Sequence, residues 1–347
     1  MSITRRQILQ MVGTGLVATQ VPLASASGIF SKSALKPPRL KAGDTVGLIN
    51  PAGATFHPED VVIAEETFAA LGLKMKAGEH LLDRYGYLAG TDEARAADVN
   101  NMYADPDVDA IITLRGGWGC NRILDLIDYK NIGKHPKIIM GYSDITSLLL
   151  AFNAKTSLVT FHGPVGISTW NEYSTDFVKR LLFEGQAFTM ENPTDKGDNL
   201  TQVKDRILTI KSGQATGKLL GGNLSVLSAM VGSDYLPDFK NNILFLEEVD
   251  EAPYRVDRML TQLKLAGILD ELSGFVFGKC SSCDSGESYG SLTLEEVLDD
   301  HIKPLGIPAW FGSMIGHIGD KFTIPLGINA EIDGDKGSIK LLEASVI

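Results

Sequence analysis

From Asp44 to Phe161 the chain alternates short apolar runs with stretches of helical periodicity, and this alternation constrains its fold more than any other feature. Thr45–Ile49 reads as a strand that ends in the loop Asn50-Pro51-Ala52-Gly53. Pro58–Leu71 reads as a helix, with Val61, Ala64, Phe68 and Leu71 on one face, and Leu73–Ala77 as a short strand. Thr91-Asp92-Glu93 supplies a cap and first-turn acids for a helix reaching about Tyr103. Ala110–Leu114 is a strand running into Arg115-Gly116-Gly117-Trp118-Gly119, followed by a helix to about Ile127. The strand Ile138–Met140, the helix Asp144–Phe152 and the strand Leu158–Phe161 complete the series. Such a series predicts an α/β fold with a parallel sheet and helices on both faces. Ligands of these sheets sit beyond the C-terminal strand ends, where Asn50-Pro51, Arg115-Gly116-Gly117 and Ser143 all fall.

Ser143 lies in the turn between the Ile138–Met140 strand and the helix that Asp144 opens. A hydroxyl there stands beside the unpaired N–H groups of a helix N-terminus, a favourable place for a nucleophile. Serine is also a preferred N-cap residue, so the turn alone does not choose between the two roles.

The composition, 44% hydrophobic and 22% charged over 347 residues, is that of a globular protein with room for two domains. After Phe188 the pattern lapses into Glu191-Asn192-Pro193-Thr194-Asp195-Lys196-Gly197-Asp198-Asn199. The division read from this is an N-terminal domain over 36–190, a linker over 191–207 and a C-terminal domain over 208–347. The second part holds Gly221-Gly222-Asn223, where the glycines suggest close backbone approach, and a strand Asn242–Leu246 ending in Glu247-Glu248. A helix after Pro253 and a strand Phe275–Phe277 come next, then a Ser/Gly-rich loop Cys280–Ser291 and a glycine-flanked loop at Gly316-His317-Ile318-Gly319-Asp320. The net charge of -11 and the lack of a Lys/Arg-rich run beyond the first residues speak against nucleic acid or an anionic membrane as a partner. The three cysteines are too few for a disulfide framework. Cys280 and Cys283 have CxxC spacing, which suits a local disulfide or half a zinc site; no second CxxC or paired histidines complete a metal set, and the pair is read as incidental.

Residues 1–27 read as an export signal: Arg5-Arg6, a mildly apolar stretch to Leu23, then Ala24-Ser25-Ala26-Ser27 as a small-x-small cleavage site. The paired arginines are of the twin-arginine type, which implies the twin-arginine export machinery as a partner and a periplasmic location. Gly13, Thr14, Gly15 and Gln20 break the apolar stretch, so no permanent membrane span is expected. A mature chain starting near Ser27 is the expectation; N-terminal sequencing of periplasmic protein checks it, and an intact Met1 in the cytosol contradicts it.

A serine nucleophile needs a base and a group to orient that base. Of six histidines, His57 and His135 precede prolines, His80 reads as a surface-loop residue, and His301 sits in an acidic run on a solvated helix face. His162 and His317, at a strand end and in a glycine loop, stand out, and composition does not choose between them. Glu247 and Glu248 end an apolar strand; alternation puts them on opposite faces, so one of the two can enter a cleft. A plain ion-pair network with Arg255, Asp257 and Arg258 is the competing reading. Glycines 116, 117 and 119 fit no P-loop or dinucleotide pattern. Their other use is to present N–H groups to an oxyanion, together with the N–H of Asp144. HExxH is absent, which leaves metal-assisted hydrolysis without support.

Seven stretches in order resemble the serine LD-carboxypeptidase family, which includes muropeptide LD-carboxypeptidases and microcin-immunity peptidases. They are Arg115-Gly116-Gly117-Trp118-Gly119, Gly141-Tyr142-Ser143-Asp144-Ile145-Thr146, His162-Gly163-Pro164, Gly221-Gly222-Asn223-Leu224, Leu244-Phe245-Leu246-Glu247-Glu248, the run Pro253–Leu260, and Gly316-His317. The match runs from about Pro38 to Leu342. The resemblance implies a glutamine-amidotransferase-like N-terminal parallel-sheet domain and a smaller β-rich C-terminal α/β domain. It further implies Ser143 as nucleophile, His317 as general base and Glu247 as orienting acid. Asp144 and a glycine of the Gly116–Gly117 pair would be the oxyanion donors. Arg115 and Trp118 would contact substrate, no metal or other cofactor is implied, and homodimers are common in such proteins. Trp118 departs from the more familiar tyrosine, which bears on substrate fit. The expected activity removes a terminal D-alanine from the L-centre of muropeptide tetrapeptides, free or in peptidoglycan. Two rivals remain. One is an immunity-type peptidase acting on a peptidyl- or aminoacyl-nucleotide, with Trp170 to stack on the base. The other is a non-catalytic muropeptide-binding protein.

Overall fold

A computed structural model describes residues 33–284 and 290–347, so the export-signal reading of residues 1–27 lies outside the described residues. Residues Ala34–Ile347 form one compact unit. The elements come in the order β1 (Thr45–Ile49), α1 (Glu59–Ala70), β2 (Lys74–Ala77), α2 (Asp92–Ala104), β3 (Ala110–Thr113), α3 (Tyr129–Lys134), β4 (Ile138–Gly141), α4 (Thr146–Thr156), β5 (Thr160–His162), α5 (Glu172–Val178) and β6 (Thr189–Met190). Then follow β7 (Leu208–Lys211), β8 (Gln214–Asn223), α6 (Leu224–Ala229), β9 (Ile243–Val249), α7 (Pro253–Leu265), β10 (Gly274–Ser281), α8 (Leu294–Ile302), β11 (Ala309–Phe311), β12 (Ile324–Leu326), β13 (Asn329–Asp333) and β14 (Ser338–Leu341).

The first sheet has the order β12-β5-β4-β3-β1-β2. Its strands run parallel except β12, which pairs antiparallel with β5. Ala110–Thr113 and Ile138–Gly141 are buried at every position, as expected of central strands covered on both faces. Thr91 caps α2 by accepting from Ala94 N at 3.3 Å, which confirms the N-terminus read from Thr91-Asp92-Glu93. The helix expected after Gly119 is a 3₁₀ turn, Cys120–Leu126, and the last strand of the series starts at Thr160 because Leu158 bridges to Leu35 instead.

The second sheet has the order β6-β14-β13-β8-β9-β10-β11-β7. Its centre, β8 to β11, is parallel, and the strands on either side are antiparallel. Pro253 sits in the first turn of α7, which buries Val256, Met259, Leu260 and Leu263 along one stripe. His301 is not on a solvated face: its side chain is 10% exposed and its Nε2 lies 2.6 Å from Asp257 Oδ1 on α7. Cys280 and Cys283 are not incidental either, because they form a disulfide. Cys120 is a free, buried thiol. Among the described residues no helix is long and apolar enough to cross a membrane.

The two sheets meet through backbone. A Cβ on Gly222, at the end of β8, would lie 2.5 Å from Thr146 Oγ1 at the start of α4, so the position excludes any side chain. Asn223 N donates to that same hydroxyl at 3.0 Å. The close approach read from Gly221-Gly222 therefore sets the end of β8 directly against the helix that follows Ser143.

Candidate active site

Buried β4 carries the chain to Tyr142, and Ser143 then takes φ 63°, a left-handed conformation that costs a non-glycine residue about 1 kcal/mol or more. A 3₁₀ turn, Ser143–Ile145, leads into α4. This strained strand-to-helix turn is the geometry that lifts a serine hydroxyl clear of its backbone. Asp144 braces it from beneath: its buried carboxylate accepts from Cys120 N at 2.8 Å. Burial pushes the Asp144 carboxyl above its ordinary value, against the opposing pull of the Cys120 N–H.

Gly116 completes the turn's surroundings. A Cβ there would stand 2.7 Å from Ser143 Cβ and 3.0 Å from its Oγ. Gly117 has φ 126° and packs on Gly53. Gly116→Ala is expected to displace Ser143 and lower kcat about 100-fold, the scale set by a misplacement near 1 Å. Steady-state kinetics check this, and unchanged kcat in the variant contradicts it.

On the second sheet, Glu247 of β9 is fully buried. Its Oε2 lies 2.8 Å from His317 Nδ1, while its Oε1 has no hydrogen-bond partner. Gly316 permits this approach, because a Cβ at its φ of 129° would lie 3.0 Å from Glu247 Oε2. Burial alone would raise the Glu247 carboxyl; the hydrogen bond and charge of His317 outweigh it and hold the group below its ordinary value. Ser143 and His317 line one cleft of about 780 Å³, but among the described residues Ser143 Oγ has no hydrogen-bond partner. Long or unmade catalytic bonds are common without substrate.

Behind His317 lies a second layer. The Tyr142 ring contacts that of His317 at 4.8 Å between centroids, and Lys321 Nζ stands 4.4 Å from the Tyr142 centroid. Burial brings Lys321 down to about 8, against the charge of Glu247. His162, one of the two histidines left open above, is in the core and not in the cleft. It is 2% exposed, neither ring nitrogen has a partner, and burial holds it down at about 4. Its folded value lies below the unfolded value of about 6.5. The unfolded chain therefore binds the extra proton, and stability present above that pH is lost as pH falls toward 4. His162→Phe is expected to remove about 2 kcal/mol of the stability lost between pH 7 and 4.5. Urea unfolding at the two pH values checks this, and an identical loss in the variant contradicts it.

The cleft walls differ in charge. Arg115, Arg122 and Trp118 enter the lining from the stretch after β3, and Glu248, Asp250 and Glu251 from the end of β9. Arg115 donates to Ala54 O at 3.0 Å, and Trp118 is 67% exposed, with its ring edge-on to Tyr87. Glu247 and Glu248 do diverge as alternation requires, yet Glu248 is buried at the cleft wall and not excluded from it. It accepts from Asn223 Nδ2 at 2.9 Å and Ser225 N at 2.7 Å. Asn223, unnoticed in the sequence beyond its glycines, thus fixes that wall. The competing ion-pair network does not form around these two acids: Arg255 pairs with Glu251, and Asp257 with His301. Trp170 does not line the cleft. Its Nε1 donates to Val165 O at 3.0 Å and its ring packs edge-on against Phe68, so it is core and not a stacking surface.

Comparison with known proteins follows the same outline. Residues 46–163 match the description "LD-carboxypeptidase N-terminal domain" and residues 216–332 "LD-carboxypeptidase C-terminal domain". The chain is 39% identical over 311 residues to a probable murein peptide carboxypeptidase of Bacillus subtilis, covering 88% of this chain and 93% of that one. Its fold is similar to that of MccF solved in complex with glutamyl sulfamoyl guanosine, with a TM-score of 0.81 at 28% identity over 90% of this chain and all of that one. It is also similar to a muramoyltetrapeptide carboxypeptidase from Oxalobacter formigenes, with a TM-score of 0.73 at 27% identity, covering 86% and 97% of the two chains.

Proposed function

The chain belongs to the LD-carboxypeptidase family and is a carboxypeptidase, and from that premise we propose that it is a metal-independent serine enzyme. Its proposed substrate is a muropeptide tetrapeptide, from which it removes the terminal D-alanine at the L-centre of a diamino acid. The observation that carries the mechanism is the Glu247–His317 pair opening onto the same cleft as Ser143 on its strained turn. Ser143 Oγ attacks the amide carbonyl as His317 Nε2 takes its proton. Glu247 holds the proton on Nδ1, which leaves Nε2 free to accept. The N–H of Asp144 and that of Gly116 or Gly117 receive the oxyanion. His317 then passes its proton to the leaving amine, and water releases the acyl group from Ser143.

The split charge of the cleft supports the choice of substrate. Arg115 suits the carboxylate of the leaving amino acid, and Glu248, Asp250 and Glu251 suit the free ammonium of a diamino acid. The same acidic wall opposes a phosphate. An exposed Trp118 beside Tyr87 does offer a stacking face for a base, which favours cleavage of an aminoacyl-nucleotide as the second reading. The twin-arginine pattern at Arg5-Arg6 supports a periplasmic location, where such nucleotides would not be met.

Mass spectrometry of disaccharide tetrapeptide incubated with the enzyme tests the proposal. Loss of one alanine, unaffected by EDTA, is the expected result. No tripeptide product together with cleavage of a glutamyl sulfamoyl nucleoside would transfer the assignment to the second reading. Inhibition by EDTA would overturn metal independence; among the described residues no three His, Cys, Asp or Glu side chains stand together as a metal site.

A further inference from the structure

The end of β10 makes contacts that the mechanism above does not use. After a register shift between Phe277 and Cys280, this strand pairs Cys280 with Glu248 and Ser281 with Val249. It therefore finishes beside the strand that carries Glu247. Two hydrogen bonds tie it to the loop bearing His317. Lys279 N donates to Ile315 O at 2.8 Å, and Ser281 Oγ donates to His317 O at 3.0 Å. The Ser281 carbonyl also accepts from Asp250 N at 2.8 Å, which joins the strand end to a residue of the cleft lining. The Cys280–Cys283 disulfide closes the turn that follows, across Ser282 at φ 58°.

We infer that Ser281 is a positioning residue for His317 and that the Cys280–Cys283 disulfide holds it in place. The inference rests on the Ser143–His317–Glu247 reading. His317 is fixed at two points: Glu247 holds its ring at Nδ1, and Ser281 holds its backbone. The second point depends on a turn whose Ser282 sits in a left-handed conformation that disfavours a non-glycine residue. Without the bridge that turn relaxes, Ser281 Oγ leaves the His317 carbonyl, and the imidazole swings on its bond to Glu247. Proton transfer from Ser143 is sensitive to such displacements. The bridge forms in an oxidising compartment, so full activity belongs to the exported enzyme. Reduction by a dithiol breaks one S–S bond and forms two S–H bonds, while dithiothreitol loses two electrons and two protons to become its cyclic disulfide.

The test compares oxidised and dithiothreitol-reduced wild type with the Cys280→Ser/Cys283→Ser double variant, Ser281→Ala and Ser281→Thr, all as full chains. Two quantities are read: kcat and KM on the tetrapeptide, and the rate at which a fluorophosphonate modifies Ser143. Reduction is expected to lower kcat and phosphonylation about 10-fold, with KM nearly unchanged. The double variant should match reduced wild type and ignore dithiothreitol. Ser281→Ala should show the same loss under oxidising conditions, and Ser281→Thr should restore most of it by keeping the hydroxyl. Equal kcat and equal phosphonylation in oxidised and reduced wild type would overturn the inference, as would full activity in Ser281→Ala. Phosphonylation does not depend on the natural substrate. A redox-dependent rate without tetrapeptide turnover would sink the substrate assignment and leave this inference standing.

Discussion

Ser143→Ala is expected to lower kcat on disaccharide tetrapeptide by about 10⁴–10⁶-fold while the protein melts within about 2 °C of wild type. The expected loss is large because, in the proposed mechanism, attack, acyl transfer and release all pass through this oxygen. The stability change is small for three reasons. Ser143 Oγ has no hydrogen-bond partner among the described residues, so none is lost. The φ of 63° disfavours alanine as it disfavours serine. The brace of the turn is the bond between Cys120 N and the Asp144 side chain, which the substitution leaves alone. Turnover in the variant within 10-fold of wild type would remove Ser143 from the mechanism.

Glu247→Gln is the second large effect, a drop in kcat of about 10⁴-fold with KM little changed. The amide has the same shape, so the side chain still fills its fully buried site. Its NH₂ group can turn toward Nδ1 of His317, which moves the ring proton to Nε2 and leaves no lone pair to accept from Ser143. Stability should fall modestly, because the folded state holds the Glu247 carboxyl below its ordinary value and the amide gives up that charge-assisted bond to His317 Nδ1. Thermal melting alongside kinetics separates the two outcomes. A variant that loses activity only in proportion to lost folded protein would make Glu247 a structural acid.

Much of the fold was legible because it rests on local periodicity. The apolar runs of β1, β3 and β4, the cap at Thr91 and the first-turn proline at Pro253 are written in adjacent residues. What periodicity does not carry is partnership. Nothing near Ile324–Leu326 says that this late strand closes the first sheet against β5, since that pairing joins residues far apart in the chain. The same limit governed the candidate site. His162 and His317 looked alike as sequence, and what separates them is a fold that seals one behind Phe245 and Tyr142 and sets the other at the cleft. Trp170 looked available for stacking until α1 placed Phe68 against it. The spacing of Cys280 and Cys283 suits thiols, a disulfide or half a metal site equally well; the turn at the end of β10 decides among them. The resemblance supplied Ser143, Glu247 and His317 together. The structure adds why their neighbours are glycines, at 116 against Ser143 and at 316 against Glu247.

The central claim is that a serine on one sheet is armed by a Glu–His pair from the other. Its most direct test is stoichiometric phosphonylation of the oxidised enzyme with a fluorophosphonate, followed by peptide mapping and residual activity on the tetrapeptide. One phosphonyl group on the peptide carrying Ser143, with activity falling in proportion to its occupancy, is the predicted result. Full activity with Ser143 completely phosphonylated, or inactivation by modification of a different residue, would contradict it.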